Sequence, residues 1–190
     1  MVKKFNKQGI TLAELLIATT LIGVVMLGII GFDISMRRFG VTTQTSATLK
    51  IEAMTIAARI SKDALETQGN VGESPTIVAS ANQISFQKDA SVSKWVVYRY
   101  DASGSTKNTI CRFDNSATQN PANCAVAGAE ILSKKVVTAS LQWTGCKIRI
   151  DLTLQADPTQ VIDATHPWDP IKNPRAAINM SSYPEAQSCS

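Results

Sequence analysis

The stretch KQGITLAELLI at residues 7–17 decides how the rest of the chain is organised. It joins a short basic head to residues 15–32, a run of 18 residues without a charged side chain. As a helix this run is about 27 Å long, close to the roughly 30 Å hydrocarbon core of a bilayer. We therefore predict a single membrane-spanning helix near the amino terminus.

The basic head predicts both an orientation and a processing site. Lys3, Lys4 and Lys7 precede Gly9, and the positive-inside rule then places the amino end in the cytoplasm. Secretory signals are cut after their apolar region at an A-x-A pattern, and nothing of that kind follows Phe32. We expect residues 1–9 to be a leader peptide removed after Gly9, so that the apolar helix stays on the mature protein.

Length and charge limit the number of domains and the kinds of partner that the chain can have. A chain of 190 residues suits one compact domain plus an anchor. Beyond Gly9 the chain holds 16 basic against 15 acidic residues, because three of the 19 basic residues lie in the head. The bulk charge that binds nucleic acid is missing, and we expect no nucleic-acid partner.

The helical pattern continues past the predicted membrane boundary, and no proline occurs before Pro75. Apolar residues recur at helical spacing, namely Leu49, Ala53, Ile56, Ile60 and Ala64. Charged residues are expected on the other face, namely Glu52, Arg59, Lys62, Asp63 and Glu66. We predict one helix over about residues 10–67, transmembrane at 10–32 and amphipathic at 33–68, ending near Gly69.

Residues 69–190 have the pattern of an antiparallel sheet domain, which makes the fold class α+β. Short alternating runs separated by turn residues predict strands at 76–79, 83–87, 94–101, 109–114, 136–143 and 147–154. The connections are too short for crossover helices, so the pairing is antiparallel. Prolines at 158, 167, 170, 174 and 184 predict an irregular carboxy-terminal tail with no central strand.

The four cysteines all lie in this predicted domain. Their even number behind an export-like segment indicates disulfides in an oxidising compartment. Three connectivities are possible. We favour Cys111 with Cys124, which closes a loop, and Cys146 with Cys189, which ties the tail to the last clear strand.

The sequence offers no catalytic constellation, and we predict that the protein is not an enzyme and binds neither cofactor nor metal. It has no G-x-S-x-G elbow, P-loop or H-E-x-x-H pattern. A serine triad would have to use His166, the only histidine. Asp157, Asp163 and Asp169 lack the spacing of an EF-hand loop.

Glu14 stands out because a carboxylate inside an apolar helix costs about 2.5 to 3.5 kcal/mol on insertion scales. Cleavage after Gly9 frees the ammonium of Ile10, one helical turn away. Glu14 can meet that ammonium in its own subunit or in a neighbouring one. Alternatively, it lies shallow enough to be solvated by lipid headgroups.

The segment at residues 7–17 resembles the class III leader and helix start of type IV pilins and type II secretion pseudopilins. The resemblance implies that a prepilin peptidase cuts after Gly9 and methylates the amino group of Ile10. It also implies that Glu14 guides the subunit into a growing filament. Ile10 stands where phenylalanine is commonest in the family, and Gly31 stands where many major pilins carry a helix-breaking proline.

A looser resemblance extends into the predicted sheet domain. Residues 58–64, 95–101 and 109–112 are similar to the helix end and strand pair of PilW-type minor pilins and GspJ-type pseudopilins. Core packing of Val97 and Ile110, with Tyr98 as a cross-strand aromatic, also accounts for the strand motifs.

The resemblance as a whole implies a pilin fold and a minor pilin of a pilus tip complex that primes assembly. Before assembly such a subunit sits in the inner membrane, with its globular domain in the periplasm. Its implied partners are other minor and major pilins through the amino-terminal helix, the prepilin peptidase and the inner-membrane assembly platform. A pseudopilin of a type II secretion or competence system is one alternative, and a periplasmic binding domain tethered by the helix is another.

Overall fold

The computed structural model describes residues 11–67, 77–89, 94–144, 147–160 and 165–182. Within these ranges the chain forms one long helix followed by eight antiparallel strands, which confirms the predicted α+β class. Helix α1 spans Leu12–Leu65, close to the predicted 10–67. It passes Gly31 without a break. The predicted end at Gly69 lies outside the described residues.

The chain divides into two units, residues 1–41 and 42–190. In the first unit every described side chain, from Thr11 to Val41, is exposed. The helix there is long and apolar enough to cross a membrane. A helix that is apolar on all sides needs lipid or other helices around it, because water is a poor solvent for so much apolar surface.

The second unit holds the end of α1 and all the strands. The strands are β1 (Ile77–Ser80), β2 (Gln83–Asp89), β3 (Lys94–Asp101), β4 (Thr109–Ser116), β5 (Ala129–Ser133), β6 (Val136–Thr144), β7 (Lys147–Gln155) and β8 (Arg175–Ser182). They form a five-stranded sheet in the order β1-β2-β3-β4-β5 and a three-stranded sheet in the order β6-β7-β8. We call the described part of this unit the sheet domain.

The main core lies where α1 packs with both sheets. The helix contributes the predicted apolar face, and all five of its members are buried: Leu49, Ala53, Ile56, Ile60 and Ala64. Strand β7 contributes alternate residues, as its pattern predicts: Ile148, Ile150, Leu152 and Leu154, each at most 1% exposed. Ala53 and Ala57 are fully buried, so the helix backbone approaches its neighbours closely at these two positions.

A second, smaller core covers the opposite face of the five-stranded sheet. Trp95 and Val97 of β3 are buried there with Cys111, Phe113 and Cys124. Strand β3 is thus buried on both faces, because Val96, Tyr98 and Tyr100 join the main core. The segment between β4 and β5, which carries Cys124, provides the cover.

Two strands were missed from sequence. The prediction of an irregular tail is wrong at Arg175–Ser182, which pairs with β7 along its whole length. Pro174 directly precedes β8, so the strand itself contains no proline. Alternate side chains of the strand point toward the core, namely Ala176, Ile178 and Met180. Strand β5 is only five residues long, and its apolar and polar residues do not alternate clearly. Its hydrogen-bonded pairing with β4 makes it a strand, although its own sequence gives no strand signal.

Candidate assembly site

The start of α1 is closed by a reciprocal pair of hydrogen bonds between Thr11 and Glu14. The backbone N–H of Thr11 donates to Glu14 Oε2 over 2.9 Å, and the Glu14 N–H donates to Thr11 Oγ1 over 3.3 Å. The Thr11 hydroxyl also donates to Oε2 over 3.0 Å. Thr11 directly precedes the first helical residue, so this is a capping box, which satisfies backbone donors that a helix start leaves unpaired.

The capping box explains in part how a carboxylate is tolerated at Glu14, inside an apolar helix. Its carboxylate is stabilised locally, by a residue three positions earlier, whichever wider partner it finds. Sequence reasoning missed this role of Thr11, although the Thr-x-x-Glu pattern before an apolar run is its usual signal. Gly9 and Ile10 lie outside the described residues, so cleavage, methylation and the Ile10 ammonium contact stay predictions.

The apolar segment that follows carries no unsatisfied polar side chain. Between Thr11 and Phe32 the polar side chains are those of the capping box and the hydroxyls of Thr19 and Thr20. Thr19 Oγ1 donates to the Leu16 carbonyl over 3.0 Å, and Thr20 Oγ1 donates to the Ile17 carbonyl over 2.9 Å. The segment therefore suits a medium without water, where each unpaired polar group is costly.

Charge returns immediately after Phe32. Arg37 Nε lies 2.9 Å from Asp33 Oδ2, an exposed pair one helical turn apart. This charged turn marks the end of the stretch that suits lipid or a bundle of apolar helices.

In the sheet domain, Asp63 joins α1 to the five-stranded sheet. The prediction that Asp63 lies on the charged outer face is wrong, because its side chain is only 10% exposed. Arg112 Nε donates to Asp63 Oδ2 over 2.7 Å, and the Tyr98 hydroxyl donates to the same oxygen over 2.5 Å. Helical spacing places Asp63 at the edge of the apolar face, where a partner on the sheet decides whether it is buried.

The pKa shifts of the two donors, Tyr98 and Arg112, fit their roles in this contact. Burial, followed by the hydrogen bond to Asp63, raises the pKa of Tyr98, which keeps its hydroxyl protonated and donating. Burial works to lower the pKa of Arg112, but its bonds to the Asp63 carboxylate outweigh burial and raise it. The contact therefore pairs a cation and an anion and adds a neutral donor.

The same network reaches the edge strand β5. Arg59 donates two parallel hydrogen bonds to the Glu130 carboxylate, from Nη1 to Oε1 over 2.7 Å and from Nη2 to Oε2 over 2.8 Å. Arg112 Nη1 lies 3.9 Å from the same carboxylate and 3.4 Å from Asp114 Oδ2. The resembling motifs at residues 58–64, 95–101 and 109–112 thus meet at one polar cluster. Core packing explains Val97 and Ile110, whereas Tyr98 and Arg112 do more than pack.

A disulfide joins Cys111 of β4 to Cys124 in the segment that covers the second core. Both residues are buried. Asp101 reinforces this cover, since its carboxylate accepts from the Cys124 N–H over 2.7 Å and from Arg99 Nε over 2.9 Å. Cys146 and Cys189 lie outside the described residues, so their pairing stays a prediction.

Asp101 is held in its charged form. Burial tends to raise its pKa, but hydrogen bonds from Thr106, Cys124 and Arg99 prevail and hold the pKa below its ordinary value. Its side chain is 4% exposed. The Arg99 side chain extends the contact, because its Nη1 donates to the Pro121 carbonyl over 2.8 Å.

The other side chains considered from sequence do not form a reactive cluster where they are described. The structure places His166 on the surface beside Thr165, whose Oγ1 lies 2.9 Å from Nδ1. The carboxylates of Asp157 and Asp169 each accept N–H groups of their own turns, and Asp163 lies outside the described residues. No group of three or more metal-binding side chains occurs in the part of the chain that is described.

Comparison with known families identifies the amino-terminal segment. Residues 4–30 match the model of the prokaryotic N-terminal methylation motif. The matched residues include Gly9, Ile10 and Glu14. The match indicates a type IV pilin-like protein that is processed as a prepilin, anchored by its apolar helix and assembled with other pilins. No match was found among curated proteins or among solved structures.

Proposed function

We propose that this protein is a minor pilin of a type IV pilus, which is cleaved after Gly9, methylated at Ile10 and active in priming assembly at the tip of the filament. The single observation that carries the proposal is the methylation motif at residues 4–30, which lies at the head of α1, where every described side chain from Thr11 to Val41 is exposed. The helix is the assembly element. The sheet domain is the part that the helix delivers to the filament, and it performs no catalysis.

The physical basis of assembly is a transfer of α1 between two environments without water. The inner membrane stores the subunit with its amino end in the cytoplasm and its sheet domain in the periplasm. Extraction by the assembly platform then moves the segment before Asp33 from lipid into a bundle of pilin helices. Because Thr19 and Thr20 satisfy their hydroxyls on their own helix, the part of this segment that follows Glu14 needs no polar partner in either environment.

Glu14 supplies the directional contact of this transfer. Both side-chain bonds with Thr11 use Oε2, so Oε1 has no partner among the described residues. That oxygen is available for the methylated ammonium of Ile10 in a neighbouring subunit. A charge-assisted bond of this kind sets the register of one helix against the next.

The test separates the charge of Glu14 from its capping role. In cells that carry the variant as the only copy, we expect Glu14→Ala to stay in the membrane while its incorporation into filaments falls at least tenfold. Glu14→Gln keeps an amide oxygen for Thr11 but has no charge. We expect it to fail like Glu14→Ala. Normal assembly with Glu14→Ala would overturn the proposed role, and rescue by Glu14→Gln would reduce Glu14 to a cap.

A pseudopilin of a type II secretion or competence machine has the same physical design, and a deletion separates the two. We expect loss of this protein to reduce the number of surface pili while secretion and DNA uptake persist. Normal piliation with a defect in secretion or uptake would assign the protein to the other machine. A chain that keeps its leader and never enters a filament would instead indicate a tethered binding domain.

A further inference from the structure

The loop that joins β4 to β5 is longer than the pairing of these two strands requires. Residues 117–128, which we call the cover loop, contain neither helix nor strand. Adjacent antiparallel strands are usually joined by about two to five residues. Covering the second core accounts for part of the extra length, since Cys124 lies in that core. Loops of this length that are firmly held usually have a function of their own.

Polar side chains of β2 and β3 hold the cover loop in place. The Gln119 carbonyl accepts from Ser85 Oγ over 2.8 Å and from Gln83 Nε2. Both donors are buried. The bonds from Arg99 to the Pro121 carbonyl and from the Cys124 N–H to Asp101 fix the rest of the loop, together with the disulfide. A loop that is already ordered loses little conformational entropy when a ligand binds to it.

The cover loop and the end of β4 line an open cavity of about 550 Å³. Small-molecule sites in proteins have volumes of about 300 to 1,000 Å³. The apolar part of the lining includes Phe113, three alanines and Val126, which is 43% exposed. The polar part includes Asp114, Thr118 and Asn120. The cavity therefore offers both apolar surface and hydrogen-bonding groups.

Two of the polar side chains that line the cavity keep hydrogen-bonding capacity for a ligand. Asn120 Oδ1 accepts from Arg99 Nη1 over 3.3 Å, whereas its Nδ2 has no partner among the described residues. The Thr118 hydroxyl lies 3.5 Å from Ser116 Oγ, a long contact. The lining thus supplies an amide donor and a hydroxyl that can donate and accept.

The charge of the cavity favours a neutral ligand. Asp114 is the acidic residue of the lining, and its charge is already balanced, since its carboxylate lies 3.4 Å from Arg112 Nη1 and 3.8 Å from Lys88 Nζ. Its side chain is 44% exposed, so its oxygens can still accept from a ligand. Among the described residues that line the cavity none is basic, so an anionic ligand would meet a carboxylate without a compensating contact.

We propose that this cavity binds a neutral saccharide unit of a glycan. Sugar hydroxyls donate to the Asp114 carboxylate and accept from Asn120 Nδ2, and the Thr118 hydroxyl pairs with either kind of group. The C–H groups of the sugar ring contact Val126 and the alanines. The inference goes beyond the proposed function, because the site lies wholly in the sheet domain and does not depend on how the amino terminus is processed.

An array of immobilised oligosaccharides tests the binding. The full-length protein is purified in a detergent whose headgroup contains no sugar, because a maltoside headgroup would compete for the cavity. The array carries neutral chains of glucose, galactose and N-acetylglucosamine, and sialylated forms of the same chains. We expect saturable binding to at least one neutral chain and weaker binding to its sialylated form. The free neutral sugar should compete, whereas a mixture of short peptides should not.

Variants of the cover loop locate the site. Ala127→Trp fills the cavity and should reduce binding at least tenfold, whereas Ala125→Trp, at an exposed position of the same loop outside the lining, should leave binding unchanged. Thr118→Val keeps the shape of the side chain and removes its hydroxyl, so we expect a loss of about two- to tenfold. Where Ala127→Trp lowers the Tm, the smaller change at Thr118 decides the question.

Several results would overturn the proposal. They are no binding to any neutral chain, a preference for sialylated chains, competition by the peptides, and equal binding by the two tryptophan variants. Unchanged binding by Thr118→Val would also contradict the contact proposed for its hydroxyl. None of these measurements uses filament assembly, so their failure leaves the proposed function standing, and a chain that never enters a filament can still bind the sugar.

Discussion

At the scale of single residues, Asp63 is the most consequential side chain of the sheet domain. It accepts from Arg112 and Tyr98 with little access to water, so removing it leaves the Tyr98 phenol without its acceptor and the buried Arg112 without its shortest contact to a carboxylate. We expect Asp63→Ala to lower the free energy of unfolding by about 3 to 5 kcal/mol. Urea unfolding of the detergent-solubilised protein measures the change.

Glu66→Ala, one turn along the helix, is the matched control. It removes an exposed contact with Lys62, which is worth about 0.3 to 0.5 kcal/mol. Tyr98→Phe should fall between the two at about 1.5 to 3 kcal/mol, because it removes one hydrogen bond to a charged acceptor and keeps the ion pair. Equal losses for Asp63→Ala and Glu66→Ala would contradict a buried linkage.

The lowered pKa of Asp101 predicts how the stability of the protein changes in acid. Its pKa is lower in the folded chain than in the unfolded chain, so unfolding takes up a proton at acidic pH. The stabilisation is fully present above the unfolded pKa, about 3.9, and is lost as pH falls through the lower folded pKa. Asp101→Asn should therefore flatten the fall of Tm below about pH 4. A parallel fall in both proteins would show that Asp101 does not carry this effect.

At the scale of elements, α1 uses different faces for different contacts. Ala57 is fully buried against the sheets, whereas Ala58, the next residue, is exposed. Ala57→Leu should cost about 1 to 3 kcal/mol through overpacking, and Ala58→Leu should stay within about 0.5 kcal/mol. Unfolding of both variants in one detergent measures the difference. Similar costs at the two positions would contradict the packing of the helix described here.

The segment between β4 and β5 depends on its disulfide. Cys111 and Cys124 are 13 residues apart, and closing a loop of this size contributes about 3 kcal/mol in the loop-entropy model. We expect Cys111→Ala with Cys124→Ala to lower stability by about that amount or more, because Trp95 and Phe113 lie beneath the cover. Increased tryptophan exposure to a quencher should accompany the loss. An unchanged Tm and unchanged quenching would contradict this role.

The sequence predicts the elements best where a single pattern spans many residues. The buried row from Leu49 and the alternation of β7 identify their elements because each repeats four or more times. Strand β5 and the burial of Asp63 are set by contacts with distant strands, which no local pattern records. The capping box is different, since the Thr-x-x-Glu pattern of Thr11 and Glu14 is a local signal that needs no distant contact.

At the scale of the whole molecule, the chain joins two different parts. The helix begins with a motif that other proteins share, whereas the family match does not reach the sheet domain. Residues 4–30 match a motif that family comparison recognises, and the proposed cleavage, methylation and helix packing would each restrict these residues. The sheet domain is restricted mainly by its own core, so its sequence reveals the fold more readily than the machine it serves. Whether this chain works as a pilin subunit therefore depends first on how its amino terminus is processed.

The most direct test is to purify the mature protein from its own cells, measure its mass and sequence it from the amino end. We expect a chain that begins at N-methylated Ile10, with residues 1–9 removed. The full leader should be retained in a strain without the prepilin peptidase. A protein that keeps Met1 in the presence of the peptidase, or that begins beyond Glu14, would contradict the account.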